Sequence, residues 1–121
     1  MIHSKSLLLV SYPKNIHQKY HAHIYFDQQS CELARQIREQ AMNRFELPVG
    51  RFNEKLVGPH TMWSFSITFT SSEFESVVSW LDNLRNGLSI LVHALTGDDI
   101  KDHSEYAYWL GKPVELDLSG L

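Results

Sequence analysis

Tyr20-His21-Ala22-His23-Ile24-Tyr25-Phe26 alternates between two kinds of side chain. Ala22, Ile24 and Phe26 fall on one side, and His21, His23 and Tyr25 on the other. That period of two is the mark of a β-strand with one buried face. A single such strand needs partners, and the sequence on its C-terminal side supplies them.

The spacing changes over Ser30–Phe45, where Leu33, Ile37, Ala41 and Phe45 form a helical stripe with Arg35, Arg38 and Glu39 off it. Pro48 closes that helix. Gly50–Val57 reads as a short polar strand whose Arg51, Asn53, Glu54 and Lys55 suit a sheet edge, and Gly58-Pro59 as a turn. In Met62–Phe69, Trp63, Phe65, Ile67 and Phe69 alternate with Met62, Ser64, Ser66 and Thr68, the clearest strand of the chain. Ser72-x-x-Glu75 predicts a capping box. Phe74, Val77, Val78, Leu81 and Leu84 give the second helix its apolar stripe, and Gly87 its left-handed C-terminal residue. Leu88–His93 is the last core strand. Beyond it, Asp98–Trp109 and Val114–Leu116 read as a loop, a short helix and one added strand.

The order β-α-β-β-α-β predicts an α+β ferredoxin-like domain. Right-handed crossovers put both helices on one face of a four-stranded antiparallel sheet in spatial order 4-1-3-2. Residues 1–19 read as an N-terminal arm with an edge strand at Leu7–Ser11, and residues 20–121 as one domain.

Composition narrows the functional classes. With 121 residues, 14.0 kDa and 43% hydrophobic content, the chain suffices for one core but not two. A net charge of −3 and a pI near 6.1 argue against nucleic acid as a partner. No apolar run approaches the roughly 18 residues of a membrane span. The one cysteine, Cys31, cannot form an internal disulfide and reads as a small boundary residue. Four apolar residues, Leu7–Val10, are too few for a signal-peptide core, so a cytoplasmic setting is expected.

Histidine stands out, with seven residues against six glycines. His21 and His23 are two apart on a strand and project the same way. In the 4-1-3-2 order, His93 at the end of strand four meets the start of strand one, beside both of them. Three imidazoles converging on a sheet face suit zinc, iron, copper or nickel. His103, ten residues past His93, leaves from the same end and could fold back over the site. His60 shares the parity of Ser64 but starts strand three, near the opposite end. A substrate pocket, a bend or a second subunit are its open explanations. His3 and His17 read as surface residues of the arm. No carboxylate lies on the histidine face, so the site is either all-histidine or completed by Asp98, Asp99 or Asp102 from the following loop.

Tyr20–Phe26, Val57-Gly58-Pro59-His60, the Trp80-Leu81 helix, Leu88–His93, Thr96-Gly97-Asp98-Asp99, Asp102-His103 and Trp109-Leu110-Gly111 together resemble the DOPA 4,5-dioxygenase family. The resemblance runs in order from about residue 20 to 116; Thr61 and Ala94 depart from it where relatives often carry proline. It implies extradiol cleavage of a catechol by O2 at a non-haem ferrous ion, with zinc or another divalent ion able to replace iron in a purified sample. His21, His23, His60, His93 and His103 fall on matching positions. We take His21, His23 and His93 as metal ligands, and His60 and His103 as the groups that move protons. The resemblance also implies a homodimer, and pairing two histidine faces into an α/β barrel would give them a cover.

Two other classes use the same residues. One is a dimeric-barrel monooxygenase or isomerase whose histidines bind substrate without metal. The other is a metal- or ligand-binding module without turnover. A cupin, suggested by His21-x-His23, lacks enough strands once two helical stripes are assigned.

Overall fold

The computed structural model describes residues 12–121. Four strands form one antiparallel sheet: β1 (Lys19–Phe26), β2 (Trp63–Thr70), β3 (Ile90–Ala94) and β4 (Ala107–Leu110), in spatial order β2-β1-β3-β4. Two helices, α1 (Cys31–Asn43) and α2 (Phe74–Leu84), and one short turn of helix, α3 (Asp99–Asp102), complete the fold. It is α+β, as the periodicities predict. The proposed edge strand at Leu7–Ser11 and His3 lie outside the described residues.

Strand parity decides what packs. Tyr20, Ala22, Ile24 and Phe26 of β1 join Phe65, Ile67 and Phe69 of β2, Ile90 and Val92 of β3, and Leu110 of β4 in one buried cluster. Ala34, Ile37 and Ala41 of α1 and Val77, Val78 and Leu81 of α2 belong to the same cluster, so both helices cover this face. Cys31 packs at its margin, half-buried.

Three details differ from the sequence reading. Gly50–Val57 does not form a full strand: only isolated bridges, Val49 to Ile67 and Asn53 to Ser64, tie this segment to β2. Its polar residues have no core to face; Phe52 anchors it by stacking on Phe26 at 4.4 Å between ring centroids, and Arg38 donates to the Gly50 carbonyl. The fourth strand is instead β4, whose Tyr108 and Leu110 are buried beside Val92 and Ile90.

The entry to α2 is also shifted. Thr70, rather than Ser72, is the residue reached back to, its N–H donating to Glu73 Oε1 at 2.9 Å. The exit of α2 matches the glycine signal, with Asn86 (φ 44°) and Gly87 (φ 90°) both left-handed.

Candidate metal centre

The register of β1 places the histidines. His21 lies directly opposite His93 of β3, and His23 opposite Leu91, whose other neighbour is Trp109 of β4. Residues of equal parity share a face, so His21, His23, Tyr25, His93 and Trp109 stand on the side away from the helices.

Three of the imidazoles converge. One nitrogen from each of His21, His23 and His93 can be chosen so that all lie within 4.8 Å of one another, a set that could hold a metal ion. His23 Nε2 and His93 Nε2 are 2.9 Å apart. Two nitrogens bound about 2.1 Å from one ion are about 3.0 Å apart at a right angle and about 3.4 Å apart at a tetrahedral one. The spacing of this pair therefore suits two neighbouring ligand positions on one ion. His93 Nδ1–H donates to the Ala94 carbonyl at 2.8 Å, which leaves Nε2 as the lone-pair nitrogen that a ligand needs.

Burial keeps this cluster neutral. His93 is pushed down to about 3, chiefly by desolvation, with the Ala94 carbonyl pulling the other way. Desolvation also lowers His21, and lowers His23 well below the usual imidazole range, with the neighbouring histidines adding like-charge repulsion. Neutral imidazole is the metal-binding form.

His60 and His103 join the cluster from the same chain. His60 lies 4.1 Å from His23 and His103 4.2 Å from His93 between ring centroids. The placement of His60 at the far end of its strand is half right. β2 does start beside the end of β1, with Trp63 paired to Phe26. The chain before it, however, turns back at Gly58 (φ 58°), closed by His60 N–H donating to the Val57 carbonyl at 3.1 Å. The turn carries the ring over β1, where His60 Nδ1 meets the Tyr25 hydroxyl at 2.7 Å. Burial lowers His60 to about 4. His103 is anchored by Nδ1 donating to the Asp99 carbonyl at 2.8 Å.

Two of the three loop carboxylates, Asp98 and Asp102, are engaged elsewhere, and Asp99 is not in the convergent set. Asp98 accepts from Lys101 N–H at the start of α3. Asp102 is 2% exposed and accepts from both the N–H and the hydroxyl of Thr96. Among the described residues, the candidate ligand set is thus all-histidine. His17 stands apart from it and is more than a surface residue: its ring lies 4.6 Å from Tyr106, and its backbone N–H donates to the Tyr20 hydroxyl at 2.7 Å.

Tyr25 was visible in sequence only as a residue sharing the parity of His21 and His23. It is 1% exposed, and Trp109 stacks on it at 6.0 Å. The face is also covered by the chain itself. Asp117 N–H donates to the Pro59 carbonyl at 2.8 Å, and the Thr61 hydroxyl to the Glu115 carbonyl at 2.6 Å, clasping the His60 turn to the C-terminal segment. The chain itself thus covers part of this face, while His21, His23, His103 and Trp109 stay half-buried.

Beside the cluster lies a cavity of about 460 Å³, lined by His103, Glu105, Ala107, Trp109, Val114 and Leu116 among others. A larger one of about 520 Å³ opens at Tyr12, Ser71 and Glu75 but contains no histidine, so its size carries no chemistry. None of the described helices is long and apolar enough to cross a membrane.

Comparison with known proteins points the same way. Residues 20–120 match the family described as Dopa 4,5-dioxygenase family. The chain is 34% identical over 113 residues to DOPA 4,5-dioxygenase of Amanita muscaria, an alignment covering 86% of this chain and 50% of that protein. It is 37% identical over 109 residues to an uncharacterized 21.2 kDa protein of Botryotinia fuckeliana, covering 80% of this chain and 60% of that one. The chain thus spans between half and 60% of the length of these curated relatives. A crystal structure of a "putative dioxygenase" from Nostoc punctiforme superposes with a TM-score of 0.80 at 42% identity, covering 84% of this chain and 88% of that one.

Proposed function

The chain belongs to the Dopa 4,5-dioxygenase family, and from that premise we propose that it is an extradiol dioxygenase. In this reading it opens the ring of a DOPA-like catechol next to the diol, placing both atoms of O2 in a semialdehyde product. His21, His23 and His93 hold a ferrous ion. The observation that carries the proposal is the convergence of these three imidazoles within 4.8 Å in a chain of this family.

When bound, the ion supplies one coordination sphere in which catecholate and O2 meet. The rest is the work of the chain. The cavity beside His103 takes the catechol ring against Trp109 and Leu116. His103, beside His93, keeps its Nδ1–H on the Asp99 carbonyl and so offers Nε2 to accept a proton released by the diol, while His60, beside His23, hydrogen-bonds the charge that develops as the ring opens. The buried walls limit competing water: Leu91 is fully buried and Tyr25 nearly so. A homodimer is part of the proposal and is supported by the family resemblance; sizing the native protein at about twice 14.0 kDa would bear it out.

The decisive experiment is anaerobic loading with ferrous ion, addition of a catechol panel including DOPA, and admission of air. A yellow product should appear as oxygen is consumed, and chelation before loading should prevent it. Failure of every catechol to give colour or consume oxygen would sink the proposal.

A further inference from the structure

Within the histidine cluster, two rings are held in opposite senses. His93 uses Nδ1 to donate to a carbonyl, and so offers a lone pair at Nε2. His60 instead meets a hydroxyl at Nδ1, that of Tyr25, at 2.7 Å. We propose that Tyr25 is a positioning residue that fixes His60 as its Nε2–H tautomer, a hydrogen-bond donor beside the metal ligands and not one of them.

The argument is an accounting of protons. Tyr25 is 1% exposed, and among the described residues its hydroxyl has no hydrogen-bond partner besides His60. If His60 Nδ1 donated to the phenol oxygen, the phenol's own proton would be left buried and unpaired, the more costly alternative. If the phenol donates to Nδ1, no buried donor is left over. An imidazole accepting at Nδ1 carries its proton at Nε2 and has no lone pair left for a cation. The ring of His60 lies 4.1 Å from His23 between centroids, yet His60 is not in the set whose nitrogens converge, and the hydroxyl at Nδ1 agrees with that. Trp109, stacked on Tyr25 at 6.0 Å, limits the freedom of the phenol ring.

The role of His60 in the reaction rests on the dioxygenase reading, whereas its tautomer does not, and the test separates the two. Chain labelled with ¹⁵N-histidine is studied by long-range proton–nitrogen spectra, with and without zinc as a diamagnetic stand-in. The expected pattern is a protonated Nε2 at His60 and a protonated Nδ1 at His93. Tyr25→Phe should convert His60 to a mixture of tautomers. In the ferrous enzyme it should lower kcat about tenfold with KM within about twofold, the mark of one hydrogen bond needed only as the reaction proceeds. A protonated Nδ1 at His60 in the unaltered chain overturns the inference, and that spectrum decides even if Tyr25→Phe does not fold. A tautomer and kcat both unmoved by the substitution overturn it too. Inactivity toward every catechol with His60 still protonated at Nε2 would remove the reaction and leave the Tyr25 assignment standing.

Discussion

The two faces of the sheet are buried in different ways. The helix face is apolar, and any well-shaped set of Ile, Val and Phe would hold it; its stability comes from area removed from water and from close packing. The opposite face buries Tyr25, His60, Leu91 and His93 and half-buries His23, with the His60 turn clasped to the C-terminal segment. Burying neutral imidazoles stabilises little and forbids their protonation. The first face makes the domain fold; the second is held by the fold as a neutral set that could hold a cation.

The largest expected effect separates the faces cleanly. His23→Ala and His93→Ala should each abolish metal binding and product colour while leaving a cooperative thermal transition. Metal retained in both variants would show that the ligand set is wrong. On the other face, Phe65→Ala should cost about 3–5 kcal/mol in urea unfolding, with both faces lost together.

A smaller effect comes from pH. In the unfolded chain the imidazoles titrate near 6.5; in the folded one, burial holds His60 at about 4 and His93 at about 3. The unfolded state therefore binds more protons below 6.5, so stability is full above that pH and declines as pH falls toward 4. The urea midpoint of metal-free protein should drop between pH 7 and 5, and a flat profile would mean that the histidine face is open to water. The smallest effect is at the clasp. Thr61→Val removes the hydroxyl donated to Glu115 and should cost about 1 kcal/mol or less, seen as faster amide exchange around His60 with the helix face unchanged.

These regions were unequally legible. The alternation of Tyr20–Phe26 and Trp63–Phe69 and the stripes of the two helices placed the core, because hydrophobic periodicity records which face is dry. The same parity, joined to sheet order, brought His93 beside His21. It could not place His60, because a loop has no period: one left-handed glycine and two hydrogen bonds to the C-terminal segment redirect the chain. Nor could it choose between Gly50–Val57 and Ala107–Leu110 as the fourth strand. Both can alternate, and only the core beside Ile90 and Val92 supplies a partner for Tyr108 and Leu110.

Local sequence thus determined three of the four strands, the two long helices and which three imidazoles share a face, since neighbours along a strand are separated by a fixed rise and alternate in direction. Tertiary structure alone decided that His60 joins them, that Asp102 is spent on Thr96 and that Tyr25 bonds to His60. Each of these depends on hydrogen bonds between segments remote or irregular in the chain, and these form only where packing brings donor and acceptor together.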